Sequence, residues 1–343
     1  MSVVEVTSPT NIALIKYWGK HPKYPDLFIP TKSSVSFTVS SFYAKTHLRV
    51  EPGSGEVEFE LNGRRIKEGE SEFQYVHAFF ERIAARFEFA KRFSYYVESK
   101  NNFPTASGFA SSAAGFSALA FAFAITMRKL GEFTSLNDRS ISILARLGSG
   151  SATRSIPRRG GLVIWHRGFD LPGNENKISE ASFAESLYAP SHFEELVLFL
   201  VKADSRSKEI KSRAGMEDSV RSVYDYWQWV EYEESSLMPK LLAAVKNKKW
   251  NELFKLVKLA SNNFHSICLR SEPPLMYLND RSRRIIDSIH PLPHAAYTFD
   301  AGPNPVVITS SHRADEVKGV LSDIVGSNNI TRSRVGSGPK RVY

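Results

Sequence analysis

Cysteine is nearly absent, with Cys268 the only one in 343 residues. No disulfide can form within the chain, so its stability must rest on a buried core, and an intracellular, cytoplasmic setting is expected. The opening MSVVEVTSP has no basic segment followed by an apolar one, which argues against a secretory leader. Long hydrophobic runs are missing too. The longest mostly apolar stretch, Gly115 to Met127, is alanine-rich and too short to span a bilayer, so no membrane role is expected. No Pro/Gly/Ser linker, internal repeat or low-complexity segment divides the chain.

Long runs of one charge sign are also lacking, although the formal net charge is +9. Lysines and arginines are scattered, and the densest places are TRSIPRR, Thr153 to Arg159, and the C-terminal TRSRVGSGPKRVY. Neither interleaves aromatics with cations as a single-strand binder does, so nucleic acid is not the expected partner. A phosphorylated small molecule draws on the same electrostatics with fewer residues. With 42% hydrophobic and 24% charged residues, the chain has the composition of a soluble globular protein. Its length suits one large two-lobed domain or two ordinary ones.

What is present reads as alternating strands and helices. SVSFTVSSF and KTHLRVEPGSGEVEFELNG alternate, with a turn at Pro52-Gly53-Ser54-Gly55. EFQYVHAFFERIAARF has helical spacing, RFSYYVES reads as a strand, and SLNDRSISILARLGSGSATRS as a helix with a polar start and a glycine stop. Residues 216–265 are mostly helical, and strands return at AAYTFDAG and PVVITSS. The expected class is α+β, with mixed sheets and helices packed against them, and a boundary near residue 185.

Four stretches carry candidate chemistry. PTASGFASSAAGF, residues 104–116, places small residues where a helix begins. Unpaired backbone N–H groups and the helix dipole make such a loop a natural phosphate site, although tight helix packing draws on the same residues. It is not a P-loop, because no lysine follows the glycines. PTNIALIKYWGK ends in Lys16, Tyr17 and Lys20, GSGSATRS carries Arg154, and YTFDAGPNP sets Asp300 between a strand and a turn.

At these motifs the chain resembles the decarboxylases of phosphorylated mevalonate, in the GHMP kinase superfamily. NIALIKYWGK, NNFPTASGFASSAAGF, GSGSATRS, SRAGM, NNFHSICL, YTFDAGPNP and the closing VGSGP match in order along essentially the whole chain. The resemblance implies a two-lobed GHMP kinase-like fold. Residues 1–185 would carry the phosphate loop and residues 186–343 the catalytic aspartate. It implies Asp300, Lys16 and Arg154 as catalytic residues, with Asp300 beside the C3 oxygen and Arg154 on the C1 carboxylate. Tyr17, Lys20, Ser212 and Arg213 would hold the 5-phosphate end. Ser107, Gly108, Ser111 and Ser112 would line the phosphate loop, with Asn101 near the nucleotide. No metal-ligating set is expected, His265 is expected to be structural, and the oligomeric state is open, a homodimer included.

Two departures from the ATP-dependent members add positive charge. TKSS places Lys32 where they have a neutral amide, and SIPRRGG inserts two residues and brings in Arg158 and Arg159. A charged surface is the plain explanation. The sharper expectation is that these cations replace Mg²⁺ and ATP. That would make the chain a mevalonate 3,5-bisphosphate decarboxylase, as in certain thermoacidophilic archaea, with no cofactor and isopentenyl phosphate as product. The alternatives are ATP- and Mg²⁺-dependent decarboxylation of mevalonate 5-diphosphate, or a GHMP small-molecule kinase.

Overall fold

The computed structural model describes residues 1–103, 111–133, 137–169, 174–204 and 212–342. Its strands are β1 (Ser2–Ile15), β2 (Ser34–Pro52), β3 (Val57–Leu61), β4 (Arg64–Ile66), β5 (Phe93–Asn101), β6 (Leu162–Trp165) and β7 (Ala184–Tyr188). They continue with β8 (Leu196–Val201), β9 (Ala295–Phe299), β10 (Pro305–Ser310), β11 (Ile330–Ser333) and β12 (Lys340–Arg341). The helices are α1 (Ser71–Arg86), α2 (Ser111–Lys129), α3 (Asp138–Gly148), α4 (Glu175–Ala181) and α5 (Ser212–Ser222). Then come α6 (Tyr226–Tyr232), α7 (Met238–Lys246), α8 (Trp250–Leu269), α9 (Asp280–Ile289) and α10 (Ala314–Val325).

β1 and β2 are long antiparallel partners that serve two cores. Val4 and Val6 of β1, with Ala44, Leu48 and Val50 of β2, pack into a first core with α1, α2 and α3. Farther along the same pair, Ile12, Leu14, Val35, Phe37 and Val39 enter a second core with α7 and α8. The first sheet runs β12-β1-β2-β5-β3-β4, with β6 pairing β2 and β7. The second is antiparallel, in the order β11-β8-β10-β9. The architecture is the expected α+β mixture of two sheets and packed helices.

Alanines make α2 a close-packing helix. Ala113, Ala114, Ala118, Ala120, Ala122 and Ala124 are all buried, and Ser117 Oγ lies 2.6 Å from Ser8 Oγ on β1. Phe116, Phe121 and Phe123 carry the larger apolar area, about 1.5–3 kcal/mol for each fully buried ring.

One local expectation comes out differently. The turn at residues 52–55 does not fold β3 back onto β2, because β5 lies between them and β3 pairs with it in parallel. The helix expected with a polar start and a glycine stop ends at Gly148, before the small-residue loop. Asn137 caps its start by accepting from the Ser140 amide at 2.8 Å, and Ser149 is extended with φ −155°. A separate 3₁₀ turn, Gly150–Ser155, follows. A Cβ on Gly150 would sit 2.6 Å from the Tyr17 ring, so the chain changes direction where that ring leaves no room for a side chain.

Gly161 has φ +77°, and a Cβ there would lie 1.8 Å from the Tyr188 carbonyl oxygen. Gly161→Ala adds that backbone clash to the roughly 1–2 kcal/mol that L residues lose in the left-handed region. A clear drop in the urea midpoint is the expected result.

Candidate active site

β1 ends at Ile15, and the next side chain turns into the junction of the two sheets. Lys16 is 2% exposed. Its ammonium donates to the Ala13 carbonyl at 2.9 Å, Thr298 Oγ1 at 2.6 Å and Asp300 Oδ1 at 2.8 Å. Three acceptors match the three donors of an ammonium. Burial draws the Lys16 pKa below its ordinary value, and the Asp300 carboxylate works against that shift. Asp300 stands just past the end of β9, where the Gly302 amide donates to its backbone carbonyl at 2.7 Å. Its side chain is 32% exposed, so the pair presents a carboxylate outward and keeps the ammonium behind it.

Arg154, on the 3₁₀ turn, is also buried. Nε donates to Asn11 Oδ1 at 3.1 Å and Nη1 to Ser34 Oγ at 2.5 Å. Asn11 is itself fixed, donating to the Ser151 carbonyl at 2.9 Å and Ser155 Oγ at 2.7 Å. Burial lowers the guanidinium pKa to about 10, with Asp300 and then Tyr17 opposing. The positive charge of Arg154 also lowers the Lys16 pKa. Lys16, Arg154 and Asp300 therefore form one electrostatic unit of two cations and one carboxylate.

Tyr17 is buried with its ring centroid 4.8 Å from that of Trp165, and burial raises its phenol pKa. Lys20 faces Glu217 at 3.6 Å. Arg213 donates from Nη2 to the Gly148 carbonyl at 2.8 Å and lies over the Tyr75 ring at 4.1 Å. Ser212 opens α5, next to Arg213. Burial lowers the pKa of both Lys20 and Arg213, and Arg213 lowers that of Lys20 further.

At the start of α2, Ser111 and Ser112 line a cavity of about 170 Å³ together with Asn101, Tyr75, Gly115 and Phe116. Asn101 Oδ1 is buried there without a hydrogen-bond partner. An orphaned acceptor beside the serines of a helix start suits a nucleotide, which brings N–H donors and phosphates together. Ser107 and Gly108 lie outside the described residues. Among the described residues, no group of His, Cys, Asp and Glu side chains could hold a metal ion, and no helix is long and apolar enough to cross a membrane.

Two of the added cations, Lys32 and Arg158, are paired with carboxylates. Lys32 is 1% exposed, ion-paired with the equally buried Glu233 and 4.6 Å above the Trp229 ring. Trp229 Nε1 also donates to Glu233, at 3.0 Å. The Lys32 charge is neutralised inside the protein. Arg158 is exposed and held by Asp138, from Nε at 2.6 Å and from its backbone amide at 2.8 Å. Asp138 opens α3, whose eleven residues put it about 15 Å from the Gly148 end that meets Arg213. Arg159 is exposed on the same turn.

His265 borders the Lys16–Asp300 pair, and burial, aided by Lys16, lowers its pKa to about 3, so it is neutral at ordinary pH. Asn11, Ser34, Thr298 and Glu233 were not singled out from the sequence. The first three lie inside quoted motifs, but nothing in the strings separates them from their neighbours. Glu233 reads as an ordinary helix carboxylate.

The family profile for the diphosphomevalonate decarboxylase-like N-terminal domain matches residues 8–184, and that for the mevalonate 5-diphosphate decarboxylase C-terminal domain matches residues 197–341. The chain belongs to the diphosphomevalonate decarboxylase family. It is 36% identical to the diphosphomevalonate decarboxylase of Debaryomyces hansenii, over 92% of this chain and 81% of that one. With the Bos taurus enzyme the identity is 34%, over 90% and 76% of the two chains. Its fold is similar to mevalonate diphosphate decarboxylase from Staphylococcus aureus, with a TM-score of 0.87 and 28% identity over 99% and 98% of the two chains. It is also similar to a structure described as MDDEF in complex with MVAPP, AMPPCP and magnesium, with a TM-score of 0.86 and 28% identity over 99% of each. These fungal, animal and bacterial relatives do not support an archaeal-type label.

Breaking the Lys32–Glu233 pair from one side leaves a buried charge unpaired. Lys32→Met is expected to cost about 3–5 kcal/mol, and Lys32→Met with Glu233→Leu to recover most of it. Urea unfolding of the single and double variants measures both.

Proposed function

We propose that this protein, a carboxy-lyase acting on a phosphorylated mevalonate, converts mevalonate 5-diphosphate to isopentenyl diphosphate, using ATP and Mg²⁺. The carrying observation is the buried Lys16 ammonium paired with the outward-facing Asp300 carboxylate, with Arg154 in the same field. The family's relatives and the orphaned Asn101 acceptor at the start of α2 support the nucleotide-dependent reading over the nucleotide-free one. The pairing of Lys32 with Glu233 and of Arg158 with Asp138 weighs against a 3,5-bisphosphate substrate, which would draw on those charges.

When bound, ATP with Mg²⁺ supplies the phosphoryl group that makes the C3 hydroxyl a competent leaving group. Asn101, Ser111 and Ser112 would hold it. The rest is the work of this chain's side chains. Lys16 fixes the Asp300 carboxylate through its hydrogen bond. The carboxylate takes the C3 hydroxyl proton and passes it to solvent, so that an anion again faces the positive charge that develops at C3. Arg154, held at two points by Asn11 and Ser34, grips the C1 carboxylate with its planar fork. As the C3–O bond breaks, its electron pair leaves with the phosphate. The C1–C2 pair then forms the C2–C3 double bond, and CO₂ departs from Arg154 as a neutral molecule. Lys20, Arg213, Tyr17 and Ser212 anchor the 5-diphosphate. Residues 1–185 and 186–343 would be the two lobes that close around this substrate.

Asp300→Asn keeps the shape and removes the charge, and is expected to lower kcat about 10²–10³-fold. CO₂ release from mevalonate 5-diphosphate measures it, and turnover near wild type would remove Asp300 from the mechanism. The reading as a whole requires that release to depend on ATP and to stop with EDTA. Nucleotide-free CO₂ release from mevalonate 3,5-bisphosphate, with no activity on the 5-diphosphate, would overturn it.

A further inference from the structure

Three cations from three separate elements converge on one aromatic ring. Phe28, 4% exposed, follows a short turn with its own backbone at φ +53°, a left-handed conformation uncommon for a bulky residue. Lys20 Nζ lies 4.4 Å from its ring centroid, the Arg82 guanidinium carbon 4.8 Å and that of Arg213 5.9 Å. Lys20 comes from the segment after β1, Arg82 from α1 and Arg213 from α5. The two arginines are held by consecutive carbonyls at the end of α3. Arg82 Nη1 donates to Leu147 at 3.1 Å and Arg213 Nη2 to Gly148 at 2.8 Å. A helix C-terminus attracts cations, so α3 orients both guanidinium groups without neutralising them.

Cation–π contacts of about 0.5–2 kcal/mol stabilise each charge singly but do nothing for the repulsion among the three. Burial lowers the Arg82 pKa, and Arg213 lowers it further. The carboxylates acting on the group lie at its edge: Glu217 facing Lys20 at 3.6 Å and 68% exposed, with Asp26 and Glu81 near Arg82. All three carboxylates are exposed to water, which screens them, so positive potential persists among the more buried cations and suits an anion with more than one phosphate's worth of acceptors. Lys20 and Arg213 belong to the motifs already assigned to the 5-phosphate end. Arg82 and Phe28 belong to none of them.

We propose that Arg82 is a third substrate-binding cation, set by Phe28 beside Lys20 and Arg213, and that it takes the terminal phosphate of the substrate's diphosphate. This rests on the 5-diphosphate reading above. Arg82 then discriminates tail length: a monophosphate is satisfied by Lys20 and Arg213, and a diphosphate engages all three.

The test is titration calorimetry of the full chain at low salt, with inorganic pyrophosphate and inorganic phosphate as probes, on wild type, Arg82→Gln and Arg82→Lys. Glutamine retains a donor for the Leu147 carbonyl and loses the charge. Lysine retains the charge. Arg82→Gln is expected to weaken pyrophosphate about tenfold or more and phosphate much less, with partial recovery in Arg82→Lys. The KM for mevalonate 5-diphosphate should rise by a similar factor, with kcat changing far less. Pyrophosphate binding equal to wild type in Arg82→Gln would overturn the proposal. So would equal losses in both variants accompanied by a lower urea midpoint, which is the signature of a helix cap alone. If wild type binds pyrophosphate but does not turn over the 5-diphosphate, the functional reading fails, and the calorimetry still decides the role of Arg82.

Discussion

Lys16 can be buried in one way only, and the junction of the two sheets is built around it. An ammonium taken out of water needs all three donors satisfied and a negative partner close by. Ala13 supplies a carbonyl from the end of β1, and Thr298 and Asp300 supply the other two acceptors from the end of β9. Thr298 also donates to the same Ala13 carbonyl, at 2.9 Å, so the two strand ends are tied twice. The strands come from opposite ends of the chain, and β9 belongs to the second sheet. Burying this charge therefore fixes where the sheets meet and which way the Asp300 carboxylate faces.

Around this junction the protein handles its cations in two different ways. Arg146 is fully buried and donates to the carbonyls of Ser179 and Ser182, and Arg82 and Arg213 donate to carbonyls at the end of α3. Arg154 is held by an amide oxygen and a hydroxyl. Neutral acceptors orient a guanidinium and leave its charge in place. Lys32 and Arg158, by contrast, are matched to carboxylates and contribute little net field. The net charge of +9 thus says less about the site than the choice of partner does. Positive potential survives where the partners are carbonyls, and that is where an anionic substrate would be held.

Much of this was legible in the string of residues. Alternation marked β2 and β3, and RFSYYVES, AAYTFDAG and PVVITSS marked β5, β9 and β10, though β1 was not marked. The Asn137 start of α3 follows from side-chain capping alone. The motifs around Lys16, Arg154 and Asp300 were distinct enough to imply the family, because each combines a chemistry-bearing residue with the small residues that let backbone approach it. Those are local properties, written into a few consecutive positions. Three-dimensional pairing is not. Nothing near Lys32 announces Glu233, 201 residues away, or shows that the pair is buried and silent. Arg82 sits in an ordinary helical repeat, and only packing brings it over Phe28 beside two other cations. The chain by itself determined most of the elements and which residues are candidates for the chemistry. The tertiary structure decided which charges remain available, because a charge acts through its partners and its exposure to water, and both are set by contacts between segments far apart in sequence.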